Sequence, residues 1–238
     1  MPGLDTIQSL ALAPELKRSL SAGATPRGVA PRMSRATAMA KRVLDLAGAG
    51  ALLLFTLPVF LLIALLVKLD GGPVFYAHER VGRGGRLFGC LKFRSMVTDS
   101  DRRLAALLAT DPAARIEWET SRKLKRDPRV TRIGRFLRAS SLDELPQILN
   151  VLRGEMALVG PRPVQAAELA AYYGAAAQHY MAVRPGITGP WQVSGRSETS
   201  YAQRVALDVG YVNAPSVLTD IVILLRTPAA VLARRGAY

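Results

Sequence analysis

The stretch LAGAGALLLFTLPVFLLIALLV, residues 46 to 67, contains no charged side chain and decides which kind of fold the chain can adopt. As an α-helix rising about 1.5 Å per residue, it is just long enough to cross a hydrocarbon core of roughly 30 Å. It begins too far into the chain, and has no clear cleavage site, for an ordinary signal peptide. We therefore predict a membrane helix over residues 35–70.

The topology of this helix depends on Pro58 and on the charges that flank the apolar run. A proline inside a helix removes a backbone hydrogen bond and clashes with the preceding turn, so we expect a break or kink at Pro58. Basic residues lie on both sides of the run: Arg35, Lys41 and Arg42 before it, and Lys68, Arg80, Arg83 and Arg86 after it. Positive charge on both flanks gives a straight span no preferred orientation. A kinked span and a hairpin that returns at Pro58 both remain open.

The overall charge restricts the kind of partner but does not choose it. The formal net charge is +14, which favours a negatively charged partner such as nucleic acid, anionic lipid or a phosphorylated substrate. A single cysteine, Cys90, excludes an internal disulfide framework and favours a reducing, cytoplasm-facing location. Cys90 lies in the apolar run LFGCL, which is typical of a buried structural thiol.

The rest of the chain divides into a tail and a soluble part. Residues 1–34 are rich in Ala, Ser, Pro and Arg, so we expect a mobile N-terminal tail. From Pro73 onward, PVFYAHERVG, RGG and RLFGCLKFRSM predict two strands around a glycine turn. The segment GRGG lacks the third glycine of a dinucleotide fingerprint, which excludes a Rossmann site here. We predict a mainly helical α+β fold, with residues 71–238 as a cytoplasm-facing domain.

Three further stretches predict helices. Residues 99–125 have helical periodicity that is interrupted at Pro112. TRIGRFLR, residues 131–138, predicts an amphipathic helix with Ile133, Phe136 and Leu137 on one face and its arginines on the other. Residues 216–235 join apolar helical faces to terminal arginines, so they can lie flat on a membrane surface or form an ordinary packed helix pair.

The segment SSLDELPQ, residues 140–147, places two adjacent acids beside a proline. Proline is comfortable only in the first turn of a helix, which favours Asp143 as N-cap and Glu144 as the first helical residue. Ser141 as the cap of a capping box is the alternative. At a helix start, free amide groups and the helix dipole would lower the pKa of Asp143.

This pair of acids has a limited set of chemical roles. Neighbouring helical residues do not face each other, which excludes the facing carboxylates of a glycosidase. One acid can attack phosphorus or hold a divalent cation while the other manages a proton or a water. Ordinary helix capping is the alternative.

Basic residues near the acids in sequence are candidate phosphate ligands, although each can also be simple surface charge. The candidates are Lys92 and Arg94 in LKFRSM, Arg138 shortly before the acids, and Arg162 between the two prolines of VGPRP. The loop RPGITGPWQVSGR, residues 184–196, adds Arg184, Trp191 and Arg196. Such a loop can bind a diphosphate or a base, or serve as an irregular core connection.

Taken together, these motifs resemble the bacterial sugar transferases, also called monotopic phosphoglycosyl transferases or polyprenyl-phosphate hexose-1-phosphate transferases. The resemblance covers roughly residues 40 to 238. It rests on KRVLDL with the apolar run, ERVGRGG, LKFRSM, SSLDELPQILNVLRGEMALVGPRP, RPGITGPWQVSGR and the final RRGAY.

The resemblance implies transfer of a sugar-1-phosphate from a UDP-sugar to a polyprenyl phosphate such as undecaprenyl phosphate, with release of UMP. It implies that Asp143 is the nucleophile that forms an aspartyl-phosphosugar intermediate, and that Glu144 is its partner acid. Mg²⁺ is the implied cofactor, held by Asp143 and the diphosphate. Lys92, Arg138 and Arg162 match positions that neutralise phosphate oxygens.

The resemblance also implies a re-entrant membrane helix broken at a proline matching Pro58, with the active site on the cytoplasmic face of the bacterial inner membrane. The expected partners are then donor, lipid acceptor and bilayer, and not nucleic acid. The rival hypothesis is a membrane-anchored basic protein that binds nucleic acid or an acidic partner. Neither the hexose nor the oligomeric state can be read from the sequence.

Overall fold

The computed structural model describes residues 33–121, 124–195 and 199–232, and within them the fold is mainly helical. The helices are α1 Arg35–Leu69, α2 Ser100–Thr110, α3 Pro112–Ser121, α4 Arg132–Ser140, α5 Gln147–Arg153, α6 Ala166–Tyr172, α7 Ala177–Ala182, α8 Pro190–Val193, α9 Tyr201–Asn213 and α10 Val217–Leu232. The strands are β1 Phe75–Val81, β2 Leu87–Phe93, β3 Ala157–Val159 and β4 Gly186–Thr188. Short 3₁₀ turns lie at Arg83–Gly85, Leu142–Glu144 and Gly174–Ala176. The prediction of a mainly helical α+β fold is confirmed, while nearly all of the predicted N-terminal tail lies outside the described residues.

Helix α1 confirms the predicted apolar helix. It is long and apolar enough to cross a membrane by length and composition. Its apolar side chains are largely exposed, Leu54 by 74% and Phe55 by 84%, as expected of a surface that meets lipid. Pro58 lies inside this one helix, so the expected break at the proline is not seen in the secondary structure.

Polar bonds tie both ends of α1 to the remainder of the chain. Near its start, Arg42 donates to the carbonyls of Val151 (2.8 Å) and Leu152 (3.1 Å), and Asp45 accepts from the amide of Leu158 at 2.8 Å. These carbonyls belong to the last turn of α5, where the carbonyl of Val151 also accepts from the amide of Gly154 at 3.0 Å. Near the end of α1, Arg94 donates to the carbonyl of Val67 at 2.9 Å.

The predicted hairpin is confirmed as the pair β1 and β2 around the turn Arg83–Gly85. Gly84 has a φ of 68°, a left-handed conformation that glycine adopts without strain. The end of β1 is held firmly, because the amide of Val81 donates to Val164 at 2.9 Å and its carbonyl accepts from the Tyr180 hydroxyl at 2.7 Å. Cys90 is buried, as expected.

Strands β3 and β4 form a parallel pair in which Ala157 aligns with Gly186 and Val159 with Thr188. The two backbones approach closely, since a Cβ on Gly186 would lie 2.1 Å from the amide nitrogen of Gly160. Glycine is therefore required here by space. The pairing places the segment VGPRP, residues 159–163, beside the segment RPGITGPW, residues 184–191.

The chain forms two compact units, each described by itself. Unit 1 comprises Met1–Phe55, Ala77–Cys90 and Gln147–Tyr238, and unit 2 comprises Thr56–Tyr76 and Leu91–Pro146. The described core of unit 1 contains Val81, Val164, Leu169, Tyr173, Tyr180 and Met181. In unit 2 the ring of Phe60 packs 5.0 Å from Phe93 and 6.0 Å from Phe75.

The predicted amphipathic helix at residues 131–138 is confirmed, but the prediction that Phe136 belongs to its buried face is wrong. Helix α4 buries Gly134 and Leu137, whereas Phe136 is 57% exposed. The reason is the close contact at Gly134, where an added Cβ would lie 2.1 Å from the carbonyl oxygen of Ser95. The helix turns its glycine toward that backbone, and Phe136 consequently faces outward.

The other predicted helices are confirmed. Helix α3 begins at Pro112, where the predicted interruption lies. Helix α10 covers most of the predicted C-terminal stretch, and residues 233–235 lie outside the described part. Its side chains Leu218 and Leu225 are 70% and 75% exposed, whereas Asp220 and Ile223 on the opposite face are buried.

Candidate active site

The acid pair lies in a tight turn and not at the start of an α-helix. Asp143 and Glu144 belong to the 3₁₀ turn Leu142–Glu144, and helix α5 begins only at Gln147, directly after Pro146. The prediction of Asp143 as a helix N-cap is therefore wrong. Ser141, with a left-handed φ of 59°, ends α4 and begins the turn, so the chain reverses direction at this residue.

Lys92, in strand β2, contacts both acids. Its ammonium nitrogen lies 2.7 Å from Oε1 of Glu144 and 3.6 Å from Oδ2 of Asp143. The side chain of Asp143 is 13% exposed and that of Glu144 is 42% exposed. The structure thus brings together three of the predicted site residues, with one cation shared between two carboxylates.

The pKa of Asp143 shifts in the direction opposite to the prediction. Burial raises the pKa of this carboxyl above its ordinary value, and the negative charge of Glu144 acts in the same direction. Lys92 and Arg138 lower the pKa but do not offset the burial. The helix-start argument failed because Asp143 does not lie at the positive end of a helix.

Arg138 adds positive charge to the same cluster. It lies in the last turn of α4, and its Nε donates to the hydroxyl of Ser95 at 2.9 Å. Ser95 also accepts, through its carbonyl, from the amide of Thr131 at 3.1 Å. Sequence reasoning missed Ser95. Its only signal in the sequence was its place in LKFRSM, directly after the predicted ligands Lys92 and Arg94.

Arg94 has a different role from the predicted one. It is 7% exposed, and its guanidinium donates to three backbone carbonyls, at Val67 (2.9 Å), Pro73 (2.8 Å) and Met96 (3.4 Å). A guanidinium held in this way supports the end of α1. We therefore assign Arg94 a structural role, and its prediction as a phosphate ligand finds no support.

The remaining predicted ligands lie in unit 1 or outside the described residues. Arg162 is exposed, and its guanidinium lies 5.4 Å from the centre of the Trp191 ring. Arg184 is half-buried and donates to the carbonyl of Gly154 at 2.6 Å. Burial lowers the pKa of Arg184, and the positive charges of Arg42 and Arg83 act in the same direction. Arg196 lies outside the described residues.

The oxygen atoms at the acid pair fit a magnesium ion. Within the described ranges, no group of three or more His, Cys, Asp or Glu side chains is arranged to enclose a metal. Mg²⁺, however, is commonly bound through one or two carboxylates together with substrate phosphates. Two adjacent carboxylates that already share the ammonium of Lys92 satisfy this requirement.

Comparison with known proteins decides the family. The model of the bacterial sugar transferase family matches residues 36–234. The chain belongs to the bacterial sugar transferase family. Since members of this family are transferases, the rival hypothesis of a basic binding protein finds no support.

The relatives within this family are similar over most of the present chain. It is 54% identical over 198 residues to the UDP-galactose-lipid carrier transferase of Erwinia amylovora, covering 83% of this chain and 41% of the relative. It is 51% identical over 201 residues to the exopolysaccharide production protein ExoY of Sinorhizobium fredii, covering 84% and 88%. It is 48% identical over 204 residues to the undecaprenyl-phosphate galactose phosphotransferase of Salmonella typhimurium, covering 86% and 43%. The chain thus spans less than half of the Erwinia and Salmonella relatives and most of ExoY.

Proposed function

We propose that this bacterial sugar transferase moves a hexose-1-phosphate from a UDP-sugar to a polyprenyl phosphate. The single observation that carries the proposal is the geometry at Asp143, a partly exposed carboxylate beside Lys92 in a member of this family. The names of the Erwinia and Salmonella relatives specify galactose. UDP-galactose is therefore the first donor to test, with UDP-glucose as the comparison.

The reaction proceeds in two displacements at one phosphorus atom. In the first, a carboxylate oxygen of Asp143 attacks the phosphorus that carries the sugar, and the bridging oxygen leaves with UMP. In the second, an oxygen of the lipid phosphate attacks the same phosphorus and releases Asp143. The products are UMP and a polyprenyl diphosphate sugar, and the exchange consumes no net proton.

The raised pKa of Asp143 suits a nucleophile, because a more basic carboxylate attacks phosphorus more readily. A carboxylate that is poorly solvated is more reactive than one in water, and Lys92 keeps it in the anionic form. Lys92 and Arg138 also neutralise charge on the diphosphate as it approaches. Glu144, the more exposed acid, would orient a water or a cation.

Asp143 and Glu144 would hold Mg²⁺ together with the oxygens of the donor diphosphate. The bound ion would neutralise charge on the leaving phosphate. Lys92, which contacts both carboxylates, would share them with the ion.

We propose that α1 enters and leaves the membrane on the cytoplasmic face. Basic residues flank the apolar run on both sides, Arg42 before it and Lys68 after it, so a straight span has no preferred orientation. A helix that re-enters keeps both flanks on the cytoplasmic side.

Helix α10 supports the same placement. Its exposed leucines lie opposite Asp220, which forms an ion pair with Lys41 shortly before the apolar part of α1 begins. The apolar face of α10 is therefore attached near the point where α1 meets the membrane surface. An amphipathic helix in this position can lie in the interface.

Trapping of the intermediate tests the chemistry. The purified chain is incubated with UDP-galactose labelled in the sugar-bearing phosphate, without lipid acceptor, and peptides are mapped by mass spectrometry. We expect the label on Asp143 and its loss when polyprenyl phosphate is added. Label on a different residue would refute Asp143 as nucleophile.

The matched substitutions are Asp143→Asn and Asp99→Asn. Removal of the nucleophile should reduce UMP release by at least about a thousandfold. Asp99 lies in the same unit but pairs only with Arg102 and Arg103, at 2.8 and 3.0 Å, and its substitution should leave turnover unchanged. Turnover retained in Asp143→Asn would remove the proposed mechanism.

Cysteine accessibility tests the topology. In a Cys90→Ala background, cysteines are introduced at Ala36 and Asp70 and labelled with an impermeant maleimide in oriented vesicles. Labelling of both positions from the cytoplasmic side is expected. Labelling from opposite sides would establish a membrane-spanning α1.

A further inference from the structure

The backbone of Ser95 is held in place by helix α4 and by the residue that follows it. Its carbonyl oxygen accepts from the amide of Thr131, the N-cap of α4, at 3.1 Å. A Cβ added to Gly134 would lie 2.8 Å from the Cα of Ser95, so α4 packs directly against this backbone. Met96, the next residue, pairs with Val130 in an antiparallel bridge. These contacts leave the hydroxyl of Ser95 a narrow range of positions.

The hydroxyl of Ser95 contacts the other end of the same helix. It accepts from Nε of Arg138 at 2.9 Å, and Arg138 lies in the last turn of α4. Ser95 thus meets the N-cap of α4 through its carbonyl and the last turn through its hydroxyl. An arginine side chain has many rotamers, and a hydrogen bond from Nε to a fixed acceptor removes most of them. Ser95 therefore restricts where the guanidinium of Arg138 lies.

The bond to Ser95 uses one of the five N–H groups of the Arg138 guanidinium. In the part of the chain that the structure describes, Nη1 and Nη2 make no hydrogen bond or ion pair, and Arg138 is exposed. A guanidinium held at Nε still presents the edge formed by its two Nη groups, which matches two oxygens of a phosphate. Ser95 orients Arg138 and leaves this edge accessible.

A hydroxyl orients the arginine without cancelling its charge. Arg129, in the same unit, shows the alternative, because its Nε and Nη2 donate to the two oxygens of Asp127 at 2.8 and 2.7 Å. The positive charge of Arg129 is thus compensated by a carboxylate. Since the acceptor of Arg138 is a neutral hydroxyl, Arg138 keeps its full positive charge.

The charge of Arg138 acts at the acid pair. Arg138 precedes Asp143 by five residues, and the turn at Ser141 joins α4 to the 3₁₀ turn that carries the acids. Burial raises the pKa of Asp143, and the positive charges of Lys92 and Arg138 oppose this effect. Ser95, Arg138, Lys92 and Asp143 all belong to unit 2. The bond between Ser95 and Arg138 is therefore part of the surroundings of the proposed nucleophile.

We infer that Ser95 is a positioning residue for phosphosugar transfer, whose neutral hydroxyl holds the guanidinium of Arg138 beside Asp143 with its charge uncompensated. The inference rests on the proposed function for the identity of the substrate and adds Ser95 to it. A phosphate that reaches Asp143 then meets a cation already in place, so the cost of ordering the arginine is not met during the reaction.

The rate at which Asp143 of the full chain acquires labelled phosphosugar from UDP-galactose, without lipid acceptor, tests the inference. Ser95→Ala should lower the maximal rate roughly tenfold and change the donor concentration for half-maximal rate by less than about threefold, because the cation acts mainly in the transition state. Ser95→Thr should recover most of the rate, since it keeps the hydroxyl. Ser95→Ala combined with Arg138→Ala should be no slower than Arg138→Ala alone, since both act through one contact.

Helix α4 offers a matched control in a second serine. Ser140, its last residue, donates its hydroxyl to the carbonyl of Phe136 at 2.8 Å, within the helix. Ser140→Ala should leave the rate within about twofold of the wild type. An unchanged rate in Ser95→Ala, or losses in Ser95→Ala and Arg138→Ala that simply add, would overturn the inference.

Chemical rescue separates positioning from a merely structural bond between α4 and Ser95. Guanidinium chloride at millimolar concentration is added to Arg138→Ala, with sodium chloride at equal ionic strength as the control. The free cation should restore part of the rate, and the concentration needed should be roughly tenfold higher when Ser95→Ala is also present, because the hydroxyl no longer holds the ion. Rescue at the same concentration with and without Ser95, or no rescue, would overturn the inference.

Failure of the proposed function gives a different result. If the wild-type chain acquired no label on Asp143 from any nucleotide sugar, the proposed function would fail, and the inference with it. If the wild type were labelled on Asp143 and Ser95→Ala were labelled at the same rate, only the inference would fail.

Discussion

Asp143 and Asp220 are both paired with a lysine, yet their surroundings differ in every respect. Asp220 is 3% exposed in its side chain and uses both oxygens, accepting from Lys41 and from the Tyr211 hydroxyl at 2.8 Å. Asp143 is 13% exposed, and the ammonium nitrogen of Lys92 lies 3.6 Å from its Oδ2 but only 2.7 Å from Oε1 of Glu144.

The comparison separates a structural aspartate from a reactive one. Asp220 belongs to a network in which the Tyr211 hydroxyl accepts from Lys41 at 2.9 Å and shares its single proton between Asp220 and the carbonyl oxygen of Val159, 3.0 Å away. A satisfied buried pair of this kind stabilises one arrangement of α10 against α1. Among the described residues Asp143 has only the 3.6 Å contact of one oxygen with Lys92, so its carboxylate is less fully bonded than that of Asp220.

The largest expected effect is on stability at Asp220. Asp220→Asn leaves the half-buried ammonium of Lys41 without its ionised partner, and we expect the free energy of unfolding to fall by about 3 kcal/mol. Thermal unfolding followed by circular dichroism measures this, with Asp143→Asn as the control. If Asp143→Asn were the more destabilised variant, the assignment of roles to the two aspartates would be reversed.

A smaller effect is expected on the pH dependence of activity. Lys92 lowers the pKa of Asp143, so Lys92→Met should raise that pKa further. Because the nucleophile acts as an anion, the acidic limb of the pH profile of kcat/KM should move to higher pH. Each pH unit by which this limb moves should reduce kcat/KM on the limb, near pH 6, by about tenfold. Lys125→Met is the control, since this exposed lysine lies outside the acid pair. If the acidic limb of kcat/KM stayed at the same pH in Lys92→Met, Asp143 would not be the group that titrates there.

The smallest expected effect is a gain in stability from Asp143→Asn. A carboxyl whose pKa is raised on folding destabilises the folded state above its unfolded pKa, near 3.8, and has no effect well below it. The variant should therefore be more stable than the wild type at pH 7.5 by on the order of 1 kcal/mol, or about 2–4 °C in Tm. At pH 3 the difference should vanish. A difference of the same size at both pH values would exclude the raised pKa as its cause.

The local patterns predicted the elements well. The apolar run produced α1, the glycines of ERVGRGG produced the hairpin turn, and Pro112 marked the start of α3. In each case a few neighbouring residues determine the element. The apolar run has no charged side chain, the turn has glycines that adopt a left-handed backbone, and Pro112 has no backbone N–H.

The errors arose where a distant residue decided the outcome. Phe136 faces outward because the backbone of Ser95 requires Gly134 on the buried side of α4. Arg94 and Lys92 have the same charge and nearly the same position in LKFRSM, yet one binds the end of α1 and the other the acids. Charge and spacing along the chain carry no information on these contacts.

The sequence by itself determined that the chain carries an apolar helix, a hairpin and two adjacent acids in a basic chain, because composition and turn chemistry are local properties. Only the tertiary structure decided which aspartate is fully bonded, which arginine donates to backbone carbonyls, and that Trp191 lies against Arg162. These outcomes depend on burial and on partners brought together from distant parts of the chain, and it is burial that raises the pKa of Asp143.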